Sequence, residues 1–201
     1  DPVVVALNEG VGTTAARVQT AVSSMSVFGG NQGVFLDEAD AVTLRNTTIP
    51  ACSGTCTSTI NNGGASYDLM AGGDITVSAF TWAPGDISLT ATSGNILLTM
   101  AAFDRIDAHD LRLTAAGYIQ NLNGAPLYAR DIYLTAQDFQ GSIFSSSVLQ
   151  ESRNLSITDT LGGLTTGAGL SAADGLTVET TNGGGLDIGG VSAPGFITLI
   201  S

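Results

Sequence analysis

The chain has 201 residues, of which 26 are glycine, 43% are apolar and only 12% are charged. That balance excludes amphipathic helices with charged faces as the main element and points to short strands joined by tight turns, an all-β class. Six arginines, no lysine and a net charge of −12 argue against nucleic acid as a partner and disfavour anionic membranes, because affinity for either rests on clustered cations that release counterions.

The chain opens on Pro2-Val3-Val4-Val5-Ala6-Leu7, an uncharged β-prone run suited to pairing with an open sheet edge. In residues 12–25 the apolar positions Ala15, Ala16, Val18, Ala21, Val22 and Met25 fit a short helix whose apolar side would cap the first coil, although alternating Val and Ser nearby also permit a strand. Residues 1–33 therefore read as an N-terminal strand with a capping and assembly segment. Residues 34–201 read as the repeat body. Val34-Phe35-Leu36, Ala41-Val42-Thr43-Leu44 and Ile75-Thr76-Val77 look like its first strands.

A loop insertion is expected at 50–67, carrying the two cysteines, Cys52 and Cys56. Zinc would need about four ligands, and the single histidine, His109, lies far away in sequence, so a short disulfide-closed loop is favoured over metal, with two reduced thiols as the remaining alternative. A disulfide implies an oxidising, extracellular setting. No apolar run approaches the roughly eighteen residues of a membrane span, so a soluble chain, already processed or cut from something longer, is expected.

From residue 85 onward one motif recurs: Asp or Gly, then apolar-x-apolar, often followed by Thr-Ala. Its first apolar residues are Ile87, Leu111, Ile132, Leu155, Leu176 and Ile197, at steps of 24, 21, 23, 21 and 21. Two residues further on stand Leu89, Leu113, Leu134, Ile157, Val178 and Leu199. A second series follows glycine turns at Ile96, Ile119, Ile143, Leu164 and Leu186, so each coil carries at least two strands. Alternation places both aliphatic columns on one face, and only stacking of coils can bury them. The expected fold is a right-handed parallel β-helix, a β-solenoid with coils of 21–24 residues. A sandwich also gives short alternating strands but does not require one motif at fixed steps.

The motif is complete in Gly85-Asp86-Ile87-Ser88-Leu89-Thr90-Ala91-Thr92-Ser93-Gly94-Asn95-Ile96, which resembles the shaft repeats of filamentous haemagglutinin-like bacterial surface proteins. The resemblance covers residues 73–201. The segment from Phe35 to Leu44 is also similar to lines from giant proteobacterial repeat adhesins. These resemblances imply a β-helical shaft exported to the bacterial cell surface, with roles in adhesion, biofilm or contact between cells. The Asn-Pro-Asn motifs of that family's secretion domain are absent, which fits shaft sequence.

Other chemistries compete with a structural role. A polysaccharide lyase on this fold needs Lys or Arg beside an acidic substrate, and this chain has no lysine and dispersed arginines. The one dense polar cluster, Asp104-Arg105-Ile106-Asp107-Ala108-His109-Asp110 with Arg112 beyond, could seat an acid/base pair, or simply be a solvated turn. No residue is assigned as catalytic, and no cofactor is expected. Asp86, Asp110 and Asp131 recur at one place in three coils and are calcium candidates, the alternative being that each caps a backbone N–H. Thr90, Thr114, Thr135 and Thr158 form an outward column that raises ice binding, but Ser88, Arg112, Tyr133 and Ser156 beside it are not uniform. Polysaccharide binding or cleavage is the main alternative function. Finally, Phe196, Ile197 and Leu199 complete a strand without a polar cap, so head-to-tail self-association or further chain is expected on that edge.

Overall fold

The computed structural model describes residues 3–5, 9–50, 57–101, 103–145, 148–150, 152–166 and 169–201. In the strand Ile87–Ala91 the inward Ile87, Leu89 and Ala91 are fully buried, while Ser88 and Thr90 face outward. One coil cannot cover such a face; its neighbours do. Parallel pairing sets Ile87 on Leu111, then Ile132, Leu155, Leu176 and Ile197, with Leu89, Leu113, Leu134, Ile157, Val178 and Leu199 in the same register. The chain is thus an all-β parallel solenoid of about eight turns.

Each turn has three faces. The motif strands form the second face, which Val18–Thr20, Val34–Glu38 and Tyr67–Ala71 extend towards the N-terminus. The third face runs through Val42–Leu44, Ile75–Val77, Ile96–Leu98, Tyr118–Asn121 and Asp138–Gly141, and continues in Leu164–Thr166 and Leu186–Ile188. Here Phe139, rather than Ile143, pairs with Ile119, although Ile143 is buried as well. The first face stacks Asn62–Gly63, Thr81–Trp82 and the opening residues of Ile106–Ala115 and Leu127–Ala136, followed by Leu149–Gln150. Its later rungs are Leu170–Ser171 and Val191–Ser192. The core is one continuous apolar cluster within these faces, mostly aliphatic.

The helix expected over residues 12–25 does not form, and no helix occurs among the described residues. Val18–Thr20 pairs instead with 36–38, and Ser24–Phe28 rounds a corner, pairing first with 43–44 and then with Val3–Val5 and Gly63. The reason is twofold. Thr13, Thr14, Val18, Thr20 and Val22 are β-branched and lose side-chain freedom in a helix, and the next coil offers a row of backbone partners that a helix would leave unpaired. Arg17 fixes this first coil in place. Its guanidinium reaches Asp37 (2.6 Å), Asp68 (2.8 Å) and the Leu36 carbonyl (2.8 Å).

The insertion is an antiparallel hairpin of Thr47–Pro50 and Thr57–Ile60. It ends before Tyr67, which is a fully buried core residue whose hydroxyl donates to Asn62 Oδ1 at 3.4 Å. Burial pushes the Tyr67 phenol above its ordinary range. Cys52 and Cys56 lie outside the described residues.

Coil corners are tight because backbone sits on backbone. A Cβ on Gly72 would lie 2.0 Å from the Ala39 carbonyl oxygen of the neighbouring coil. Gly72→Ala is therefore expected to cost about 1–3 kcal/mol, through displacement of main chain rather than of a flexible side chain. Urea denaturation checks it. An unchanged midpoint would contradict the stacking at this corner.

Candidate functional site

The acidic series weighed as a calcium site, Asp86, Asp110 and Asp131, lies on the corner between the first and second faces. Asp110 and Asp131 are paired rungs, and Asp86 stands one residue ahead of the Ile87–Leu111 pair. The sequence also places a basic or imidazole side chain just before each following rung, in His109-Asp110, Arg130-Asp131 and Arg153-Asn154. Because coils stack in register, each of these side chains falls between its own rung and the one before it. His109 Nδ1 lies 3.6 Å from Asp86 and 3.2 Å from Asp110. Arg130 bridges Asp110 (3.1 Å) and Asp131 (3.3 Å), and Arg153 reaches Asp131 at 3.0 Å.

Asp86, His109 and Asp110 bring three potential ligand atoms within 4.8 Å of one another. The same Asp110 oxygen accepts from Arg130, so a guanidinium already supplies positive charge there. Asp131 lies deepest. Burial opposes its charge, but hydrogen bonds from Arg153 and Asn154 and the charges of Arg153 and Arg130 outweigh burial and hold its carboxyl below the ordinary range. Arg153 is correspondingly raised. From Asp110 through Arg130 and Asp131 to Arg153 the corner is a ladder of alternating charge, and chemically it can hold neighbouring coils together in one register.

Several turns use a side chain as a backbone acceptor, Asp159 for Leu161 and Gly162 among them, and at Asp74 and Asn95 such a bond links successive coils. Asp74 Oδ1 accepts the Asn95 N–H at 2.7 Å, and Asn95 Oδ1 accepts the Tyr118 N–H at 3.0 Å, so each links to the next coil.

Within the dense polar cluster, Arg105 pairs with Asp107 at 3.0 Å, whereas His109 turns to Asp86 and Asp110. The threonine column is in register from Thr90 through Thr114 and Thr135 to Thr158. Beside it the Arg112 guanidinium stands 4.0 Å over the Tyr133 ring, which breaks any flat lattice.

At the C-terminal edge Ile197 and Leu199 continue the buried columns on Leu176 and Val178, yet they are 42% and 48% exposed, and Phe196 is 52% exposed. Val3–Val5 is already a rung of the first face, paired with 26–28, rather than a free arm; Pro2 and Leu7 lie outside the described residues.

The first face is what the sequence reading missed. Its signal was present: Ile106, Leu127, Leu149, Leu170 and Val191 recur at steps of 21, 22, 21 and 21. They lack the Asp and Thr-Ala that mark the motif, so aligning on the motif passed over them.

No protein-family model, no curated protein and no solved structure matches this chain.

Proposed function

We propose that the chain is a non-catalytic structural segment of an extracellular fibre or adhesin shaft on a bacterial surface, extended along its axis by further coils stacked on its ends. The observation that carries this reading is the stack itself. From Val34–Glu38 to Gly175–Thr180 each second-face strand pairs in parallel register with the next over one buried apolar column, so the same stacking surface repeats coil after coil along the axis. Stacking a further coil on such a column buries apolar area and pairs backbone groups. The resemblance of Gly85 to Ile96 to haemagglutinin-like repeats supports the adhesin setting. The polar outer columns suit display in water, and no helix is long and apolar enough to cross a membrane among the described residues. Among the described residues, the lining of a hollow beside Phe144, Ser152 and Ala172 includes no titratable side chain for an acid/base mechanism.

Because Val3–Val5 is a rung of the stack, the head-to-tail contact is coil on coil, the C-terminal rung of one copy meeting the N-terminal coil of the next. Sedimentation of the 1–201 chain over a wide concentration range tests it. Association that disappears in Ile197→Lys/Leu199→Lys is expected. A strictly monomeric chain at high concentration, with its last rung ordered, would overturn the reading.

A further inference from the structure

The outward side of the first face carries a patch that neither the core nor the charge ladder uses. Parallel register places Thr81 on Ile106 and then Leu127, and sets Trp82, Asp107 and Tyr128 in one outward column over three successive coils. One residue before the paired Thr81 and Ile106 come Phe80 and Arg105, so they stack beside that column. Arg105 ties the patch together. Its guanidinium lies 5.6 Å from the Phe80 ring centre and 5.0 Å from that of Tyr128, and it donates to Asp107 Oδ2 at 3.1 and 3.0 Å. On the turn just before it, closed by the Asp104 N–H donating to the Ala101 carbonyl, Phe103 is 100% exposed. Trp82 is 39% exposed.

Large aromatic side chains left in water on a sheet face require an explanation beyond folding, since turning them outward contributes nothing to the core. We propose that this platform binds a neutral, extended β-linked glycan lying along the solenoid axis. Three features select that ligand. The rings offer apolar surfaces for the C–H faces of pyranose units with equatorial hydroxyls, and Arg105 with Asp107 presents donors and acceptors to those hydroxyls between the rings. Trp82 and Tyr128 are two rungs apart, roughly 9.6 Å at the usual strand spacing, about the length of a disaccharide. A net charge of −12 disfavours polyanions, and Arg105 is already neutralised by Asp107. The packing of Arg105 against Tyr128 holds the platform in place before binding, which lowers the entropy cost of stacking a sugar. A single copy carries the whole platform, so the inference does not depend on end-to-end assembly.

Trp82 is the single tryptophan of the chain, so its fluorescence reports on the patch alone. The test is titration with cellohexaose, followed by that emission, together with retardation in native gels containing hydroxyethylcellulose or polygalacturonate. Expected are a saturable change in emission and retardation by the neutral polymer only. Trp82→Ala and Tyr128→Ala should each weaken retardation about tenfold, the worth of one stacking contact, with the β-sheet circular dichroism unchanged. Trp82 points outward, so its variant tests the idea even if Tyr128→Ala folds poorly. Absence of both signals, undiminished retardation of Trp82→Ala, or equal retardation by polygalacturonate would each overturn the proposal. So would loss of self-association, rather than of glycan binding, in the Trp82 variant.

Discussion

Leu134→Asp is expected to unfold several coils together, with a loss of more than about 4–5 kcal/mol. Leu134 is 1% exposed and sits between Leu113 and Ile157 in an aliphatic column, so the new carboxylate meets neither water nor a cation. A solenoid spreads this damage along its axis, since each coil is stable only through its neighbours. Thr135→Asp is the matched control. Thr135 is the next residue but faces outward, and its replacement should change the melting temperature little. Circular dichroism with urea denaturation of both variants measures the contrast. Similar stability for the two would refute the inward and outward assignment on which the register depends.

The second face was legible because its motif carries both a hydrophobic alternation and a turn residue, and copies from Ile87 to Ile197 keep that pairing at nearly constant steps. The pairing of each rung followed from one assumption, that coils stack in register. The first face was not legible from the same motif. Its strands are short, and in Ile106–Ala115 and Leu127–Ala136 they run into the second face without an intervening glycine, so no turn announces them. Residues 12–25 failed differently. Apolar spacing alone fits a helix there, but the deciding factor is the open backbone edge of Val34–Glu38, a partner nearly twenty residues away that local pattern does not contain. The charge ladder was half legible. Recurrence of Asp86, Asp110 and Asp131 was seen as a possible cation site, whereas His109, Arg130 and Arg153, each one position before a rung, show their meaning only once stacking sets them between carboxylates.

That ladder gives a second large effect. Replacing Arg130 and Arg153 together with Gln leaves Asp131, whose side chain is 5% exposed, facing Asp110 without a guanidinium. At a rung spacing of about 5 Å and an effective dielectric near 20, two carboxylates repel by up to about 3 kcal/mol. In the native chain the folded value of Asp131 is depressed below its ordinary 3.8 despite burial, because Arg153, Asn154 and Arg130 favour the charged form. A depressed carboxyl stabilises the fold above its unfolded value, and that contribution is lost as pH falls through the folded value. The native corner is therefore strongest at neutral pH and weakens only in acid below the ordinary carboxylate range. Without the arginines the sign reverses: burial and repulsion from the neighbouring carboxylate raise the folded value of Asp131, so taking up a proton relieves strain. The double variant should melt well below the native chain at pH 7, and the gap should narrow as pH falls below about 5. Adding Asp131→Asn to the double variant should recover much of the loss at pH 7, and calcium should raise the melting temperature of the double variant more than that of the native chain. Calorimetry across pH, with and without calcium, measures all three. A loss independent of pH would refute the ladder, and a native chain strongly stabilised by calcium would show that a metal, rather than the arginines, holds this corner.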